Sequence, residues 1–244
     1  AQNTITDAAG VNNSFNIGGT AAAVNPDNIG PTIRAWLNDT LFRSGGLTNN
    51  TPVLLLDLFD QSGINTSGTG IGHDMVLVID GDEKNSIVLN AFYTAAPDSY
   101  QRGFVRFPMS ILSKGKHTLR IKAWDVVNNS SEVTITCWVG KSGQLQLAQV
   151  VNYPNPFRYS TTFSFEHNRP DQDLQVQIAV YNAEGRLVKQ FNQQVRSSGT
   201  RNVQIQWNGT DDQGKKLGSG TYFYRIIVQD NDEQAGTTGQ LILF

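Results

Sequence analysis

The sequence has little of what disulfide-rich, nucleic-acid-binding or membrane-spanning proteins need. One cysteine in 244 residues cannot form an internal disulfide. Only 16% of the residues are charged and the net charge is −2, which gives no basic field for nucleic acid or an anionic membrane. The longest apolar runs, residues 53–56 and 75–79, have the length of strands. We therefore expect neither a transmembrane segment nor a signal peptide, and the start without methionine is typical of a processed fragment.

Candidates for a catalytic nucleophile and base are equally few. Cys137 lies on the same predicted strand face as Ile135 and Val139, and this alternation predicts a buried small hydrophobe and not a reactive thiol. The sequence therefore predicts no catalytic residue and no cofactor in this chain. The candidate bases are His73, His117 and His167, and none has a sequence position that pairs it with Cys137.

The length and the pattern of the chain predict two domains. Residues 1–30 are rich in Asn, Ala, Gly and Thr and predict a connector or one peripheral strand. Residues 31–140 predict a first β-sandwich, residues 141–151 a linker and residues 152–244 a second sandwich. The expected fold class is all-β, with two consecutive immunoglobulin-like antiparallel β-sandwiches.

The first domain reads as short alternating strands between turns of Gly, Asn and Asp. Residues 75–79 are apolar on both faces, so we expect them to form a strand that is covered on both sides or that meets another domain. Seven strands suit a sandwich. They are predicted at residues 32–37, 53–59, 75–79, 86–89, 103–107, 117–124 and 132–139.

The boundary of the second domain is marked by the motif Tyr153-Pro154-Asn155-Pro156-Phe157. Each proline fixes φ and removes a backbone donor, and each pushes the preceding residue towards extended geometry. No helix or central strand can therefore run through the motif.

The elements after this motif appear in a fixed order that resembles the C-terminal sorting domain of type IX secretion cargo, a sandwich related to the flagellar hook-cap immunoglobulin-like domain. The resemblance covers residues 152–244 and implies an immunoglobulin-like fold. The elements are residues 161–165, 176–182, 185–188 and 207–209, Asp212 with Gly214, and residues 218–225. The sorting-domain motif residues are Tyr153, Pro154, Asn155, Pro156, Phe157, Gly185, Gly220 and Tyr222.

Further motifs extend the resemblance back to residue 29. Together they resemble a sandwich near the C-terminus of the PorU family of gingipain-like cysteine peptidases, the surface sortases of type IX secretion. The resemblance implies a place on the outer face of the outer membrane, docking to the outer-membrane barrel protein PorV, and a catalytic cysteine and histidine upstream of this region. The motifs are residues 62–65, 72–74, 79–82, 112 with 115–119, and 123–126 with 128–130.

The chain ends in an apolar, uncharged strand, whereas the sorting domains of cleaved cargo commonly end in a lysine-bearing strand. This departure favours a sorting domain that is retained as a docking element. If the strand is exposed, it offers backbone groups for strand addition. The alternative is that Leu241 and Leu243 only complete the core. The predicted partner-binding residues are Gln240, Leu241, Ile242, Leu243 and Phe244.

Acidic residues flank the glycine-rich loop 62–73 and raise the question of a calcium site. Lys84 stands where a calcium loop places an oxygen ligand, so the sequence favours turn formation in hairpins and predicts no metal site, with calcium as the alternative. The same loop lacks the following helix and the Gly-Lys-Ser/Thr sequence of a phosphate-binding loop. The acidic residues are Asp57, Asp60, Asp74, Asp80 and Asp82.

Two further interpretations remain open. The region can be a spacer plus cleavable export signal of an ordinary secreted peptidase or adhesin. The first sandwich can also bind carbohydrate through aromatic rings that serve as stacking platforms, although such rings also pack in cores. Those rings are Trp36, Tyr93, Tyr100 and Trp124.

Overall fold

The structure is a computed structural model that describes residues 27–67, 72–196, 199 and 201–244. Residues 1–26 of the predicted connector and residues 68–71 of the glycine-rich loop lie outside the described residues. Regular structure in the described part is β-strand apart from two short 3-10 helices, Glu83–Asn85 and Asn90–Phe92. The predicted all-β fold class is confirmed.

The first sandwich packs two sheets face to face. The four-stranded sheet has the order β1-β3-β7-β6 and the five-stranded sheet the order β2-β9-β8-β4-β5, in which only the β2–β9 pair is parallel. The strands are β1 (Thr32–Leu37), β2 (Gly46–Thr48), β3 (Val53–Phe59), β4 (Val76–Ile79), β5 (Ile87–Val88), β6 (Tyr93–Ala95), β7 (Arg102–Pro108), β8 (Gly115–Trp124) and β9 (Ser130–Val139).

Alternation along the strands builds the first core. Leu54, Leu56 and Leu58 of β3 all point inward and are buried, because successive side chains point to opposite faces of a sheet. β4 lies between β8 and β5, and its Leu77 and Val78 are both buried although they point to opposite faces. The prediction of a strand covered on both sides is confirmed.

Two strands of the first sandwich were not predicted. β2 and β6 have three residues each, too few for an alternating pattern to stand out from a loop. β2 pairs with β9 and β6 with β7, so tertiary pairing and not local sequence makes them strands.

The second sandwich packs a three-stranded sheet, β10-β11-β14, against a four-stranded sheet, β13-β12-β15-β16. Its core contains Phe163, Trp207 and Tyr224. The strands are β10 (Leu147–Tyr153), β11 (Thr161–His167), β12 (Asp173–Tyr181), β13 (Leu187–Arg196), β14 (Arg201–Trp207), β15 (Gly220–Gln229) and β16 (Gln234–Leu243).

The second sandwich begins earlier than predicted. β10 starts at Leu147, and Leu145 is buried in the second core, so most of the predicted linker 141–151 belongs to the second sandwich. The register of β10 against β11 shifts between Ala148 and Val151, and Gln149 has a φ of +50°. This bulge breaks the two-residue alternation that reveals a strand in sequence.

The end of β11 fixes the connection between the sandwiches. Glu166 is buried, and its Oε2 accepts the Leu47 N–H of β2 at 3.2 Å. Asn168 accepts the Gln146 N–H at 2.8 Å and donates to the Gln144 carbonyl at 2.8 Å. These bonds hold the segment that joins the sandwiches against β11.

Candidate docking site at the C-terminal strand

β16 lies at the edge of its sheet, and among the strands that the structure describes it pairs with β15 alone. An edge strand leaves one row of backbone N–H and C=O groups unpaired, and another chain can add a strand to such a row. The availability of this row decides whether β16 can serve as a docking edge.

The proline motif closes the C-terminal half of the β16 edge. The Asn155 side chain accepts the Ile242 N–H at 3.0 Å and donates to the Gln240 carbonyl at 3.1 Å. The Phe157 N–H donates to the Ile242 carbonyl at 3.0 Å, and the Phe244 N–H donates to the Phe157 carbonyl at 2.9 Å. The segment from Asn155 to Phe157 thus replaces a neighbouring strand, and we call it the edge latch.

Phe157 anchors the edge latch in the core. Its side chain is buried, and its ring centroid lies 5.6 Å from that of Trp207. Trp207 is also buried and donates its Nε1–H to the Thr210 carbonyl at 2.8 Å. Burial of one large apolar side chain contributes about 1.5–3 kcal/mol. The edge latch and β16 are therefore parts of one packed unit.

The other motif residues have structural positions in the same sandwich. Gly185 has a φ of +79° in the turn between β12 and β13, a conformation that costs glycine little. Gly220 begins β15 opposite Leu243 of β16. Tyr222 is buried, and its hydroxyl donates to the Gly218 carbonyl at 2.8 Å.

The five predicted partner-binding residues divide into two groups. Leu241 and Leu243 are buried in the second core, where the alternative interpretation placed them. Gln240 and Phe244 are exposed, and Ile242 is half-buried. Partner binding by these residues stays a prediction, and the exposed members are the ones that can touch a partner directly.

Exposed aromatic rings flank the edge latch. Tyr153 is 78% exposed, Tyr159 is 79% exposed and Phe244 is 63% exposed. Pro154 and Pro156 are exposed as well, and each follows a cis peptide bond. Aromatic residues are enriched in protein interfaces relative to the rest of the surface. We call Tyr153, Tyr159 and Phe244 the aromatic rim.

The N-terminal half of β16 lacks a comparable cover. Ile242 directs its backbone groups outward, so the two-residue period directs those of Thr238 and Gly236 outward too. Within the described residues, no outward backbone hydrogen bond reaches either of them. This part of the edge can accept a strand from a partner.

A cysteine and a histidine lie opposite each other in the first sandwich, an adjacency that the sequence did not reveal. The β8–β9 register pairs His117 with Cys137. Burial and then the Asp80 charge raise the pKa of the Cys137 thiol to about 12. His117 Nδ1 lies 2.6 Å from Asp80 Oδ2, and His117 Nε2 lies 2.7 Å from the Ser113 carbonyl oxygen. With both ring nitrogens engaged and the thiol protonated, the pair lacks an activated nucleophile.

His117 provides a test of the electrostatics at this position. Burial lowers its pKa, but the Ser113 carbonyl and the Asp80 carboxylate outweigh burial and raise the pKa above the ordinary value. The His117 contacts therefore stabilise the first sandwich fully below the unfolded pKa of about 6.5, and this stabilisation is lost as pH rises through the folded pKa. We expect Asp80→Asn to lower the pKa of His117, because the substitution removes the facing negative charge.

An NMR titration of the His117 ring protons measures this shift. Asp82→Asn is the matched control. The Asp82 side chain caps the 3-10 helix by accepting from Asn85, whereas the carboxylate that contacts the His117 ring belongs to Asp80. An unchanged pKa of His117 in Asp80→Asn contradicts the assignment.

Three carboxylates that the sequence did not group together meet in the first sandwich. Oxygens of Asp27, Asp60 and Asp125 all lie within 4.8 Å of one another. Burial is the main cause that raises the pKa of Asp60, and the charges of the other two carboxylates add to it. Oxygen ligands of this kind suit calcium. Asp60 also accepts the Ser62 N–H at 2.8 Å, and Asp125 accepts the Asn129 N–H at 2.7 Å, so turn hydrogen bonds account for their positions.

The acidic residues considered for calcium from the sequence take separate roles. Asp57 forms a two-point ion pair with Arg102, Asp80 contacts His117 and Asp82 caps a helix. Of these five, only Asp60 joins the three-carboxylate cluster. Turn formation, the interpretation that the sequence favours, suits Asp80, which has a φ of +52°.

The candidate stacking rings occupy different environments. Trp36 and Tyr93 pack against the first core. Trp124 stacks on the His73 ring at 4.2 Å between centroids. Tyr100 is largely exposed, so it is the ring that a carbohydrate can reach most easily. Carbohydrate binding stays a prediction.

The described helices are all too short and too polar to cross a bilayer. The fold as a whole is a pair of consecutive immunoglobulin-like sandwiches. Residues 155–232, about a third of the chain, match the family of FlgD Ig-like domains. No curated protein matches the sequence.

Two solved structures from Porphyromonas gingivalis are similar to parts of this chain. The chain is 36% identical to dimeric latent PorU from Porphyromonas gingivalis, with 89% of this chain and 20% of that chain covered and a TM-score of 0.47. It is 19% identical to PorZ, a surface component of the type IX secretion system of the same organism, with 51% of this chain and 15% of that chain covered and a TM-score of 0.26. This chain thus spans a fifth or less of the length of either protein.

Proposed function

We propose that this region is the non-catalytic C-terminal part of a type IX secretion surface sortase. In this proposal the second sandwich directs export and docks on the outer-membrane protein PorV, and the region lies at the cell surface. The order of the sorting-domain motifs supports the proposal. The observation that carries it is the edge latch, through which the most distinctive motif residues secure the last strand.

The edge latch makes β16 an integral strand of the second sandwich, as a docking module built around this edge requires. Asn155 and Phe157 use four hydrogen bonds to hold residues at the end of the chain, and Leu241 and Leu243 lie in the core. Removal of β16 would uncover apolar core and unpair β15. The strand is therefore part of the folded sandwich, and a partner would meet its covered edge and the rings around it.

The contact surface that we propose combines the aromatic rim with the open part of the β16 edge. The rim supplies exposed rings, and Gly236 and Thr238 supply unpaired backbone groups. Rings provide affinity in protein interfaces, while backbone pairing fixes orientation. Gln240 lies between these two parts and completes the surface.

The first sandwich has a supporting role in this proposal: it holds and orients a peptidase domain that lies upstream. Its cysteine is protonated and buried, and its histidines have structural contacts, so the chemistry would belong to the upstream domain. The competing function is a spacer with an export signal that is cleaved from an ordinary secreted peptidase or adhesin.

Calorimetric titration of the full chain into detergent-solubilised PorV tests the docking proposal. We expect saturable binding, and we expect Phe244→Asp to weaken it at least about tenfold, because a charge would enter the aromatic rim. Leu187→Asp is the matched control, since Leu187 is a similarly exposed apolar residue on β13 at the opposite edge of the sheet.

Each result has a clear meaning for docking. Binding that Phe244→Asp weakens and Leu187→Asp leaves unchanged supports the proposed surface. No binding by the unmodified chain contradicts stable docking and favours the cleavable export signal. Equal weakening by both substitutions contradicts the location of the surface.

A further inference from the structure

The outer face of the sheet β13-β12-β15-β16 carries side chains that docking at the edge of β16 does not use. Residues that alternate with the buried ones on β12 and β15 point to this face. The register aligns one glutamine from each of the four strands in a single row. This row consists of Gln194, Gln175, Gln229 and Gln234, and the next row adds Asn192 and Gln177. We call the surface that begins with these two rows the amide face.

The amide groups of this face have few partners within the protein. All four glutamines of the first row are exposed. Among the residues that the structure describes, the one side-chain hydrogen bond on the face runs from Gln190 Nε2 to Asn192 Oδ1, at 3.5 Å. A side-chain amide has two donor hydrogens and an acceptor oxygen, so it can donate and accept at the same time. The amide face therefore offers a dense set of donors and acceptors to a ligand.

The amide face is nearly free of charge. From the row of Gln175 to the row of Tyr181, Arg225 is the one charged side chain that the described residues direct to this face. Asp173 and Arg196 lie beyond the first row and face each other at 3.8 Å. A polyanion such as a nucleic acid is held by several lysines or arginines. The charge of this face therefore favours a neutral ligand.

Two aromatic rings stand at the other end of the amide face. Tyr181 and Phe223 are paired across β12 and β15, and Phe223 is 46% exposed. A shallow depression of about 520 Å³ lies beside the two rings, and another of about 320 Å³ lies among the amides of the first two rows. A third, of about 620 Å³, lies along Gly236, which has no side chain to fill it. The face thus combines flat apolar rings with polar groups and recessed space.

We propose that the amide face binds a neutral polysaccharide, whose hydroxyl groups bond the amides and one of whose sugar rings stacks on the Tyr181–Phe223 pair. Hydroxyl groups donate and accept hydrogen bonds as amides do, so neighbouring hydroxyls on a sugar can pair both ends of one amide. Four strands about 4.8 Å apart make each row about 14 Å long, which is room for several sugar rings. This surface is separate from the aromatic rings of the first sandwich. Binding there requires only the folded second sandwich and is independent of docking on PorV.

A protein is a less suitable occupant of the amide face than a polysaccharide. Burial of an amide without a hydrogen bond costs free energy, and the apolar centre of a protein interface would leave many of these amides unpaired. An added protein strand pairs with backbone groups at the edge of a sheet and not with the side chains of its face. A polysaccharide carries hydroxyl groups along its whole length and can pair the amides without an apolar centre.

Side-chain amide signals in two-dimensional NMR spectra of the chain measure binding at these residues directly. The neutral probes are maltohexaose, laminarihexaose, mannohexaose and xylohexaose, and hexagalacturonate is the anionic probe. We expect at least one neutral probe to shift the amide signals of Gln175, Gln177 and Gln229 saturably. We expect a weaker response to hexagalacturonate, since Arg225 is the one cation on the face.

Substitutions on the two central strands test the roles of the amides and of the ring. Gln175→Ala with Gln229→Ala should weaken binding of the neutral probe at least about tenfold, because two hydrogen-bonding groups are lost. Phe223→Ala should weaken it about fivefold through loss of the stacking ring. Gln175 and Gln229 lie away from the β16 edge, so the double variant should bind PorV as the unmodified chain does.

The matched control is Gln204→Ala with Gln206→Ala. Both glutamines are exposed on β14, in the other sheet of the same sandwich. This variant should bind the neutral probe with unchanged affinity. Circular dichroism of all variants checks that the sandwich remains folded.

Several results would overturn the inference. The absence of shifts with all four neutral probes contradicts glycan binding, and a response to hexagalacturonate alone contradicts a neutral ligand. Equal weakening by the two double variants contradicts the location of the site. Shifts of the same amides that arise without sugar, when the chain is concentrated or PorV is added, assign the face to a protein partner. Sugar binding by a chain that does not bind PorV supports the amide face and contradicts only the proposed docking.

Discussion

Phe157→Ala is expected to destabilise the second sandwich by about 3–5 kcal/mol, the cost typical of a buried phenylalanine truncated in a packed core. Phe157 is buried against Trp207, and its backbone bonds both Ile242 and Phe244. Loss of the ring therefore opens a cavity and loosens the edge latch at once. The first sandwich does not contain this residue, so its stability should change little.

Fluorine NMR with 5-fluorotryptophan follows the two sandwiches separately during urea denaturation. Trp207 reports on the second sandwich, and the other three tryptophans report on the first. Tyr159→Ala is the control, because this nearby ring is exposed and its loss should cost about 0.5 kcal/mol or less. A Phe157→Ala protein whose Trp207 signal unfolds at the unmodified midpoint would show that the motif is not part of the core.

Acidification from pH 7 to pH 4 is expected to remove about 3 kcal/mol of stability from the second sandwich through His167. His167 is fully buried, and burial, followed by the Arg169 charge, lowers its pKa from 6.5 to about 4. Its Nδ1 accepts the Arg169 N–H at 3.2 Å, while its buried Nε2 has no partner among the described residues. Between these pH values the His167 ring binds a proton in the unfolded chain but stays neutral in the folded chain. The stability present above pH 6.5 is therefore lost as pH falls through the folded pKa.

Urea denaturation of the unmodified chain and of His167→Gln at both pH values isolates this contribution. Glutamine cannot titrate, so the acid-induced loss in the second sandwich should be smaller by about 3 kcal/mol in the variant. The first-sandwich transition in the same experiment is the control and should be the same in both proteins. Equal acid-induced losses in the second sandwich would rule out His167 as their source.

His117 and His167 give the two sandwiches opposite pH dependence. Two acceptors around His117 favour its charged form and raise its pKa, whereas burial and the Arg169 charge oppose the charged form of His167 and lower its pKa. No sequence pattern separates these cases, since both histidines stand at the end of an alternating strand. The difference arises from Asp80 and Ser113, which only the folded chain brings to His117.

Much of the fold was predictable because long strands with one buried face keep a clear two-residue period. β1 and β3 have the predicted bounds, and β8 extends the prediction by two residues. The period fails where pairing alone makes a strand, as in β2, or where a bulge interrupts alternation, as at Gln149 in β10. Short strands formed by pairing and strands interrupted by a bulge are therefore the elements that the sequence pattern could not predict.

The candidate site was only partly predictable. The sequence predicted that the proline motif belongs to the second domain and that the last strand binds a partner. It did not predict that Asn155 forms hydrogen bonds with Gln240 and Ile242, which lie more than 80 positions away. Likewise, Asp27 and Asp125 join Asp60 only after β-strand pairing brings distant loops to one end of the sandwich. Contacts between residues so far apart in sequence leave no periodic signal in a single sequence.

Backbone hydrogen exchange along β16 is the decisive measurement for the edge latch. If the latch secures the end of the strand, the Ile242 amide exchanges only when the second sandwich unfolds, while the outward Thr238 amide exchanges rapidly. Asn155→Ala should then accelerate exchange at Ile242 and leave Thr238 unchanged. An Ile242 amide that exchanges as fast as that of Thr238 in the unmodified chain would contradict a closed C-terminal edge and, with it, a docking module built around that edge.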